Sequence, residues 1–154
     1  MIIRDAKPAD IEGVIRLCHL ALASTPYAHL PMDDMALRRA MLYHITSPSQ
    51  FAQVVEVDGE LEGLLVCQVA KVWHSTKKHA SDLVYFCTDK GQGGGAIMMR
   101  RFLRWARKQK GVQVIQITIT NGGPKIKRTG RMLEKMGMMY VGGNYLESIN
   151  GQRG

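Results

Sequence analysis

The run of glycines after residue 89 is the feature of this sequence with the clearest chemical meaning. It reads Lys90-Gly91-Gln92-Gly93-Gly94-Gly95, between an apolar stretch and an amphipathic one. A strand that turns through glycines into a helix presents unpaired backbone N–H groups at the positive helix end, which binds anions. Glycine also reaches positive φ and lets phosphate oxygens approach the backbone. We therefore predict a phosphate-binding turn; a merely flexible turn is the alternative.

The spacing of these glycines excludes two common phosphate-binding motifs. The pattern Lys90-x-x-Gly93-x-Gly95 lacks the final glycine of a dinucleotide fingerprint. No Gly-Lys-Ser/Thr follows it, as a nucleoside triphosphate loop requires. The turn therefore points to a phosphorylated ligand of another kind.

Five side chains just before the turn have the chemistry for proton transfer or nucleophilic attack: His74, His79, Asp82, Tyr85 and Cys87. Asp82 is the candidate general base, with a plain strand-end residue as the alternative, and Tyr85 is the second catalytic candidate, unless it only packs. The two histidines flank a pair of lysines, a pattern typical of a solvated loop. Cys87 has no obvious base beside it in the sequence, so we do not expect it to act as a nucleophile.

Apolar periodicity predicts the elements that must position these groups. Strands are expected at 1–6, 50–57, 61–69, 83–87, 112–120, 138–141 and 145–148, and helices from 8 up to a loop at 24, then at 33–45, 94–110 and 125–136. Asp58-Gly59 between two apolar runs predicts a tight hairpin. A strand, the glycine turn, a helix and another strand form a central βαβ unit.

Length and composition suit one cytoplasmic globular domain spanning residues 1–154. Apolar residues make up 45% of the chain, no apolar run is long enough to cross a membrane, and the first residues lack a signal-peptide layout. Three cysteines with no close pair predict reduced thiols and no metal site. The net charge of +8 favours polyanionic partners: nucleic acid, an acidic protein or a phosphorylated cofactor.

The glycine turn and two further segments resemble the GNAT acyltransferase family. Lys90-x-x-Gly93-x-Gly95 is similar to its signature, Arg or Gln, two residues, Gly, one residue, Gly or Ala. The stretch 54–65 resembles the central hairpin of the family, and 133–138 resembles the end of its fourth helix. The order of these segments matches over nearly all of residues 2–149. The compact, basic, methionine-rich character is similar to that of phage-encoded members.

The resemblance implies an α/β (α+β) GNAT fold, whose mixed, mostly antiparallel sheet splays between strands 4 and 5 and is flanked by about four helices. It also implies acetyl-coenzyme A as cofactor, with backbone groups of the fourth strand holding the pantetheine arm and the glycine turn wrapping the pyrophosphate. The implied cofactor-binding residues are Leu83, Val84, Tyr85, Lys90, Gly91, Gln92, Gly93, Gly94, Gly95, Ala96 and Asn121.

The sequence departs from the family pattern at three places. Leu133 stands where the family has the tyrosine that protonates the departing thiolate, and Ile126 replaces a family asparagine, for which Asn121 is a substitute. Lys90 keeps a positive charge but not the forked contact of arginine.

We predict an N-acyltransferase that moves acetyl to an amine. The alternative is a catalytically degenerate GNAT fold that acts by binding a partner protein.

The expected acceptor is an amine-bearing small molecule or protein. The loop at 24–31 and the following helix should form one wall of its cleft, where Asp33 and Asp34 either attract a cation or stabilise the helix start. The basic face of the helix at 94–110 is a solvated surface, or a site for the 3′-phosphate of coenzyme A or for an acidic protein partner. Nucleic acid is disfavoured as a partner because no aromatic side chain that could stack on bases lies within this run. We expect no contact with a membrane. A homodimer is possible.

Overall fold

The computed structural model describes residues 1–120, 124–143 and 145, and within this part five strands form one sheet in the order β1-β2-β3-β4-β5. They are β1 Ile2–Asp5, β2 Phe51–Val57, β3 Glu60–Lys71, β4 Lys78–Cys87 and β5 Val112–Gln116. Neighbours pair antiparallel except β4 and β5, which are parallel. The predicted mixed, mostly antiparallel sheet is confirmed.

Four α-helices cover the two faces of this sheet. A 3-10 turn at Pro8–Asp10 leads into α1, and the helices are α1 Ile11–Ala23, α2 Asp34–Thr46, α3 Gly94–Ala106 and α4 Pro124–Lys135. One buried cluster lies between the sheet and α3 with α4, and a second lies between the sheet and α1 with α2. The expected number of about four flanking helices is confirmed.

Helix α3 is held by the apolar face that its sequence predicts. Its buried side chains are Met98, Met99, Phe102, Leu103 and Ala106. Burying each of the larger ones stabilises the fold by about 1.5–3 kcal/mol, so the glycine turn at its start is firmly placed. The helix ends at Ala106 rather than 110. Arg101 of this helix is held against β1, because its Nη1 donates to the carbonyl of Ile3 at 2.8 Å.

The predicted hairpin between β2 and β3 is present. Asp58 has φ of 52° and Gly59 has φ of 84°, and two consecutive positive φ values suit the tight turn that matches strand twist. The Asp-Gly pair therefore specified this turn from local chemistry alone.

Strand β4 begins five residues earlier than predicted. Residues 78–82 are mostly polar, so the sequence pattern does not indicate a strand there. Their backbone nevertheless pairs with β3 from Lys71↔Lys78 onward and with β5 on the other side. His79 therefore lies within a strand, opposite Ala70, and not in a solvated loop. His74 lies in the turn that joins β3 to β4, as expected.

Two further elements differ from the prediction near the end of the described residues. Strand β5 stops at Gln116 instead of 120, although Ile115, Ile117 and Ile119 still pack against the core on one side. The predicted strand at 138–141 is absent: the segment carries no strand pairing and Met139 to Val141 are exposed. Its expected partner at 146–148 lies outside the described residues.

Among the residues that the structure describes, no helix combines the length and the apolar character needed to cross a membrane.

Candidate functional site

The sheet opens between β4 and β5. Their parallel pairing covers only Lys78–Ser81 against Val112–Gln116, and β4 then runs on to Cys87 with its ladder partner on the β3 side alone. At the point of parting, Asp82 Oδ1 accepts a hydrogen bond from the backbone N–H of Thr118 at 2.9 Å. Beyond Asp82, the edge of β4 therefore has no paired strand beside it among the described residues, which matches the expected splay, and we call this opening the cleft.

A bulge in β4 decides which side chains face which layer. The register against β3 shifts between Asp82↔Cys67 and Val84↔Val66, so Leu83 is the extra residue. Val84 packs into the cluster under α1 and α2, whereas Tyr85 packs into the cluster under α3. Leu83 is 41% exposed. The three predicted cofactor residues thus line the opened edge from both faces.

The glycine turn lies at the start of α3, with Gly93 as the residue that caps the helix. Gly93 has φ of 91°, and a Cβ there would meet no atom within 4 Å. The other glycines are required by packing. A Cβ on Gly94 would lie 2.6 Å from Val55, one on Gly95 would lie 2.6 Å from the Tyr85 hydroxyl, and one on Gly91 would overlap the carbonyl of Glu62.

This corrects one part of the sequence argument. Only Gly93 faces open space with a backbone that disfavours a side chain, while Gly91, Gly94 and Gly95 let the turn approach β2, β3 and β4. The turn is therefore pressed against the sheet on one side and open on the side of Gly93. The residues fit a pyrophosphate there, because the first turn of a helix has unpaired N–H groups and an open approach.

Thr88 and Glu62 brace the turn from below, a role that sequence reasoning missed. The backbone N–H of Thr88 donates to the Glu62 carbonyl at 2.9 Å, and its hydroxyl donates to the Glu62 carboxylate. The N–H of Gly91 in turn donates to Thr88 Oγ1 at 3.3 Å. Glu62 is 8% exposed. The only sign of this role in the sequence was a carboxylate within a mostly apolar strand.

Arg128 is a second residue that the sequence did not single out. Its Nη1 donates to Gln92 Oε1 at 3.4 Å, which brings the guanidinium of α4 to the edge of the glycine turn. Its charge also acts on Tyr85, lowering the pKa of the phenol against the effect of burial. The basic run on α4 was visible in the sequence, but which of its cations reaches the turn was not.

Burial is the main cause of the pKa shifts of the ionisable groups in the cleft. Burial raises the pKa of Asp82, and the hydrogen bond from Thr118 opposes this rise. Burial likewise raises the pKa of Tyr85 to about 12 and that of Cys87 to about 11. Tyr85 and Cys87 are therefore protonated at neutral pH, and Cys87 is a poor nucleophile.

The other cysteines follow the same rule. All three are free thiols, as predicted. Burial raises the pKa of Cys18 to about 11, and it raises the pKa of Cys67 well above its usual range. No group of three or more metal-ligating side chains occurs in the described part of the chain.

The remaining predicted residues are spread around the cleft. Lys90, Gln92 and Ala96 lie in or next to the glycine turn, and Lys90 is exposed. Leu133 is 7% exposed and packs in the core under α3, which confirms a packing position. His79, paired with Ala70 near the start of β4, lies at the opposite end of that strand from the turn. Asn121 lies outside the described residues.

The paired acids at the start of α2 have different contacts. Asp33 caps the helix, accepting from the N–H groups of Met35 and Ala36 at 2.9 and 3.0 Å. Asp34 Oδ1 instead lies 2.7 Å from His19 Nε2 of α1. Capping therefore accounts for Asp33, and Asp34 belongs to a surface pair with His19.

With this geometry in view, solved structures identify the architecture. A GNAT-family acetyltransferase from Streptococcus pneumoniae superposes with a TM-score of 0.72, covering 98% of this chain and 92% of its own at 15% identity. The fold is that of the GNAT acetyltransferases. No protein-family model matches the sequence, and no curated protein matches it significantly.

Other solved structures that superpose on this chain belong to proteins with different functions. An aminoglycoside antibiotic 6′-N-acetyltransferase from Acinetobacter haemolyticus matches with a TM-score of 0.66, covering 99% of this chain and all of its own at 11% identity. A transcriptional regulator from Bacillus halodurans matches with a TM-score of 0.67, covering 96% and 99% at 16% identity. The GNAT fold by itself therefore does not choose the activity.

Proposed function

We propose that the protein is an N-acetyltransferase that moves the acetyl group of acetyl-coenzyme A to an amine. The observation that carries this proposal is the opened edge of β4 beside the glycine turn of α3, within a GNAT fold. The opened edge offers backbone donors and acceptors to an extended arm. The turn offers a positive helix end to phosphates.

Each part of the cleft has a role in binding. The pyrophosphate of the cofactor fits at the Gly93 side of the turn, where the backbone is open. Arg128 brings a guanidinium to the same place and supplies the forked cation that Lys90 lacks. The unpaired backbone of Leu83 to Tyr85 suits the pantetheine arm. Asn121, which the family resemblance adds to this set, stays a prediction.

The bound cofactor would supply an activated acetyl thioester. In the transfer, the amine nitrogen forms a bond to the carbonyl carbon, the bond from carbon to sulfur breaks, and the amine proton leaves to a base while the thiolate gains a proton. Holding the amine in line supplies much of the rate, and a general acid typically adds about 10²–10⁴-fold. A cleft without the usual tyrosine can therefore support slow turnover.

Asp82 and Tyr85 are the candidates for proton transfer. A carboxylate whose pKa is raised by burial is a better base near neutral pH than an ordinary one. A phenol with a pKa of about 12 is protonated and able to donate. Both lie on the face of the sheet that α3 covers, so they are on the cofactor side of β4.

The acceptor class is an amine, carried by a small molecule or by a protein. Its predicted approach is from the α1–α2 face, where Asp34 is 2.7 Å from His19 and more than half exposed. An exposed carboxylate in a basic chain attracts cationic amines.

The deciding experiment is a calorimetric titration with acetyl-coenzyme A, followed by thiol-release measurements over a panel of amines. We expect saturable one-to-one binding and thiol release that depends on the amine. If binding occurs and no amine yields thiol, the second candidate function holds: a GNAT fold that has lost the reaction and acts by binding a protein. Leu133 favours this second candidate, because a leucine buried at that position has no proton to donate to the thiolate. Absence of binding would contradict both the cofactor and the reaction.

A further inference from the structure

A wide groove with a volume of about 850 Å³ separates α3 from α4 on the outer surface of the protein. Seven cations line its rims: Arg100, Arg104 and Arg107 from α3, and Lys127, Arg128, Arg131 and Lys135 from α4. Its floor is apolar, formed by Leu103, Met132 and Met136. No acidic side chain lines it among the residues that the structure describes. We call this the α3–α4 groove.

The charge of the α3–α4 groove is not neutralised from within. Among the described residues, every ion pair closer than 4.0 Å involves Arg4, His19 or Arg38, and none includes a rim cation. Two facing rows of cations over an apolar floor concentrate positive potential along the groove. A charge density of this kind would attract an anionic ligand from solution.

Most of the groove extends beyond the proposed cofactor site. Arg107 stands 13 residues after Gly94, which is about 20 Å along a helix axis from the glycine turn. The pyrophosphate would occupy the N-terminal end, next to Arg128. The distal part around Arg107 and Lys135 is therefore left for a different ligand.

The spacing of the cations matches a helix. Arg100 and Arg104 are four residues apart on one rim, and Lys127, Arg131 and Lys135 are each four apart on the other. Such residues lie one turn apart on the same face, so each rim repeats at the pitch of an α-helix. A helix lying along the groove would meet both rows if acidic side chains recur at the same spacing on its two flanks.

The floor argues for a peptide over a nucleic acid. Methionine side chains adapt to apolar partners of varied shape, as in other grooves that accept amphipathic helices. Within the described part of the chain no aromatic side chain lines the groove, and binding of single-stranded nucleic acid usually depends on stacking against such side chains. The apolar floor and charged rims together fit a ligand with one apolar stripe and two acidic flanks.

We propose that the α3–α4 groove is a docking site for an acidic amphipathic helix of a partner protein. This interaction is independent of acetyl transfer, since it uses cations remote from the glycine turn. The helix would place apolar side chains on Met132 and Met136 and carboxylates against the two rims. The partner could thereby be held on the surface whether or not it is the acetyl acceptor.

The test uses fluorescence anisotropy with a labelled 18-residue peptide, designed with leucines along one face and glutamates on both flanks. A peptide of the same composition with scrambled order serves as the ligand control. The groove variant combines Arg107→Gln, Arg131→Gln and Lys135→Gln. The control variant combines Arg39→Gln, Lys71→Gln and Lys77→Gln, which removes the same charge from exposed sites elsewhere.

We expect the designed peptide to bind at least 10-fold more tightly than the scrambled one. The groove variant should lose at least 10-fold in affinity and the control variant less than 2-fold, with both variants folded by circular dichroism. A second variant, Met132→Ser with Met136→Ser, should weaken binding without changing charge.

Equal losses in the groove and control variants would show attraction by net charge only and would overturn the proposal. So would tighter binding of a single-stranded oligonucleotide that is lost in the groove variant, or no peptide binding at all. Titration of the groove variant with acetyl-coenzyme A should give unchanged affinity. Peptide binding therefore reports on docking alone, and the titration with acetyl-coenzyme A reports on the cofactor proposal alone.

Discussion

Asp82 and Thr118 join β4 to β5 at the last point where the two strands lie together. The Asp82 carboxylate accepts the Thr118 backbone N–H at 2.9 Å, beyond the paired residues Ser81 and Gln116. A side chain thus replaces the next hydrogen bond of the ladder, and the strands part immediately afterwards. The opening between β4 and β5 therefore begins at this contact.

Replacing Asp82 separates its structural role from its ionisation. Asp82→Ala should cost about 0.5–1.5 kcal/mol, because the exposed hydrogen bond from the Thr118 N–H is lost. Asp82→Asn should cost less, since the amide oxygen still accepts the bond. Urea unfolding at neutral pH measures both, and equal losses in the two variants would contradict the assigned contact.

The stability difference between Asp82→Asn and the native protein should depend on pH with a defined sign. Burial raises the folded-state pKa of Asp82 above the unfolded value, so the folded state binds more protons and the contribution of this group falls as pH rises through that interval. The free energy of unfolding of the asparagine variant, relative to that of the native protein, should therefore rise from about pH 4 upward. A difference that stays flat with pH would show that the carboxyl is not perturbed.

Gly93→Ala should weaken acetyl-coenzyme A binding without any special loss of stability. The matched control is Gly137→Ala, because both glycines have nearly the same φ, 91° and 88°, and open space around the missing Cβ. Each substitution should cost about 1–2 kcal/mol from backbone strain. Only the change at Gly93 should lower the affinity, by at least 10-fold in calorimetry; equal affinities would place the phosphates elsewhere.

Arg128→Gln should lower cofactor affinity by about 5–30-fold, as expected when one charge-assisted phosphate contact of about 1–2 kcal/mol is lost. Arg131→Gln, one turn further along α4, is the control and should change affinity less than 2-fold. Arg128→Lys should restore the charge but only part of the affinity, because it lacks the fork. Similar affinities for Arg128→Gln and the native protein would exclude this cation from the site.

Leu133 should prove to be a packing residue whose place cannot be taken freely by tyrosine. Leu133→Ala should cost about 2–5 kcal/mol. Leu133→Phe and Leu133→Tyr should each cost about 1–3 kcal/mol from overpacking, so their comparison isolates the hydroxyl. A higher kcat for the tyrosine variant than for the phenylalanine variant would show that a general acid was the missing part; equal values would show that proton donation to the thiolate does not limit turnover.

Asp33 and Asp34 should respond differently to substitution. Asp33→Asn should change stability by no more than a few tenths of a kcal/mol, since asparagine also caps well, whereas Asp33→Ala should cost about 0.5–2 kcal/mol. Asp34→Asn should leave stability nearly unchanged and raise the KM of a cationic acceptor several-fold, an effect that added salt reduces. A KM that does not move would remove Asp34 from the acceptor site.

Several features could be predicted from the sequence because local chemistry decides them. The Asp58-Gly59 turn needs two positive φ values, and this pair adopts them readily. The periodic apolar face of α3 and the glycines before it predicted a strand, a turn and a helix, and Gly93 does cap that helix. These signals lie within a few residues of each other, so no tertiary contact was needed to read them.

The rest was decided by the tertiary structure. The polar start of β4 forms a strand only because β3 and β5 supply hydrogen bonds on both sides, which no local pattern reveals. The bulge at Leu83 turns Tyr85 toward α3, and a one-residue shift of this kind reverses the face of every following side chain. Arg128 reaches Gln92, and Glu62 supports Thr88, across separations of 36 and 26 residues. Because such contacts depend on how the layers pack, the sequence determined the kind of turn that precedes α3, whereas the packed fold selected the side chains that surround it.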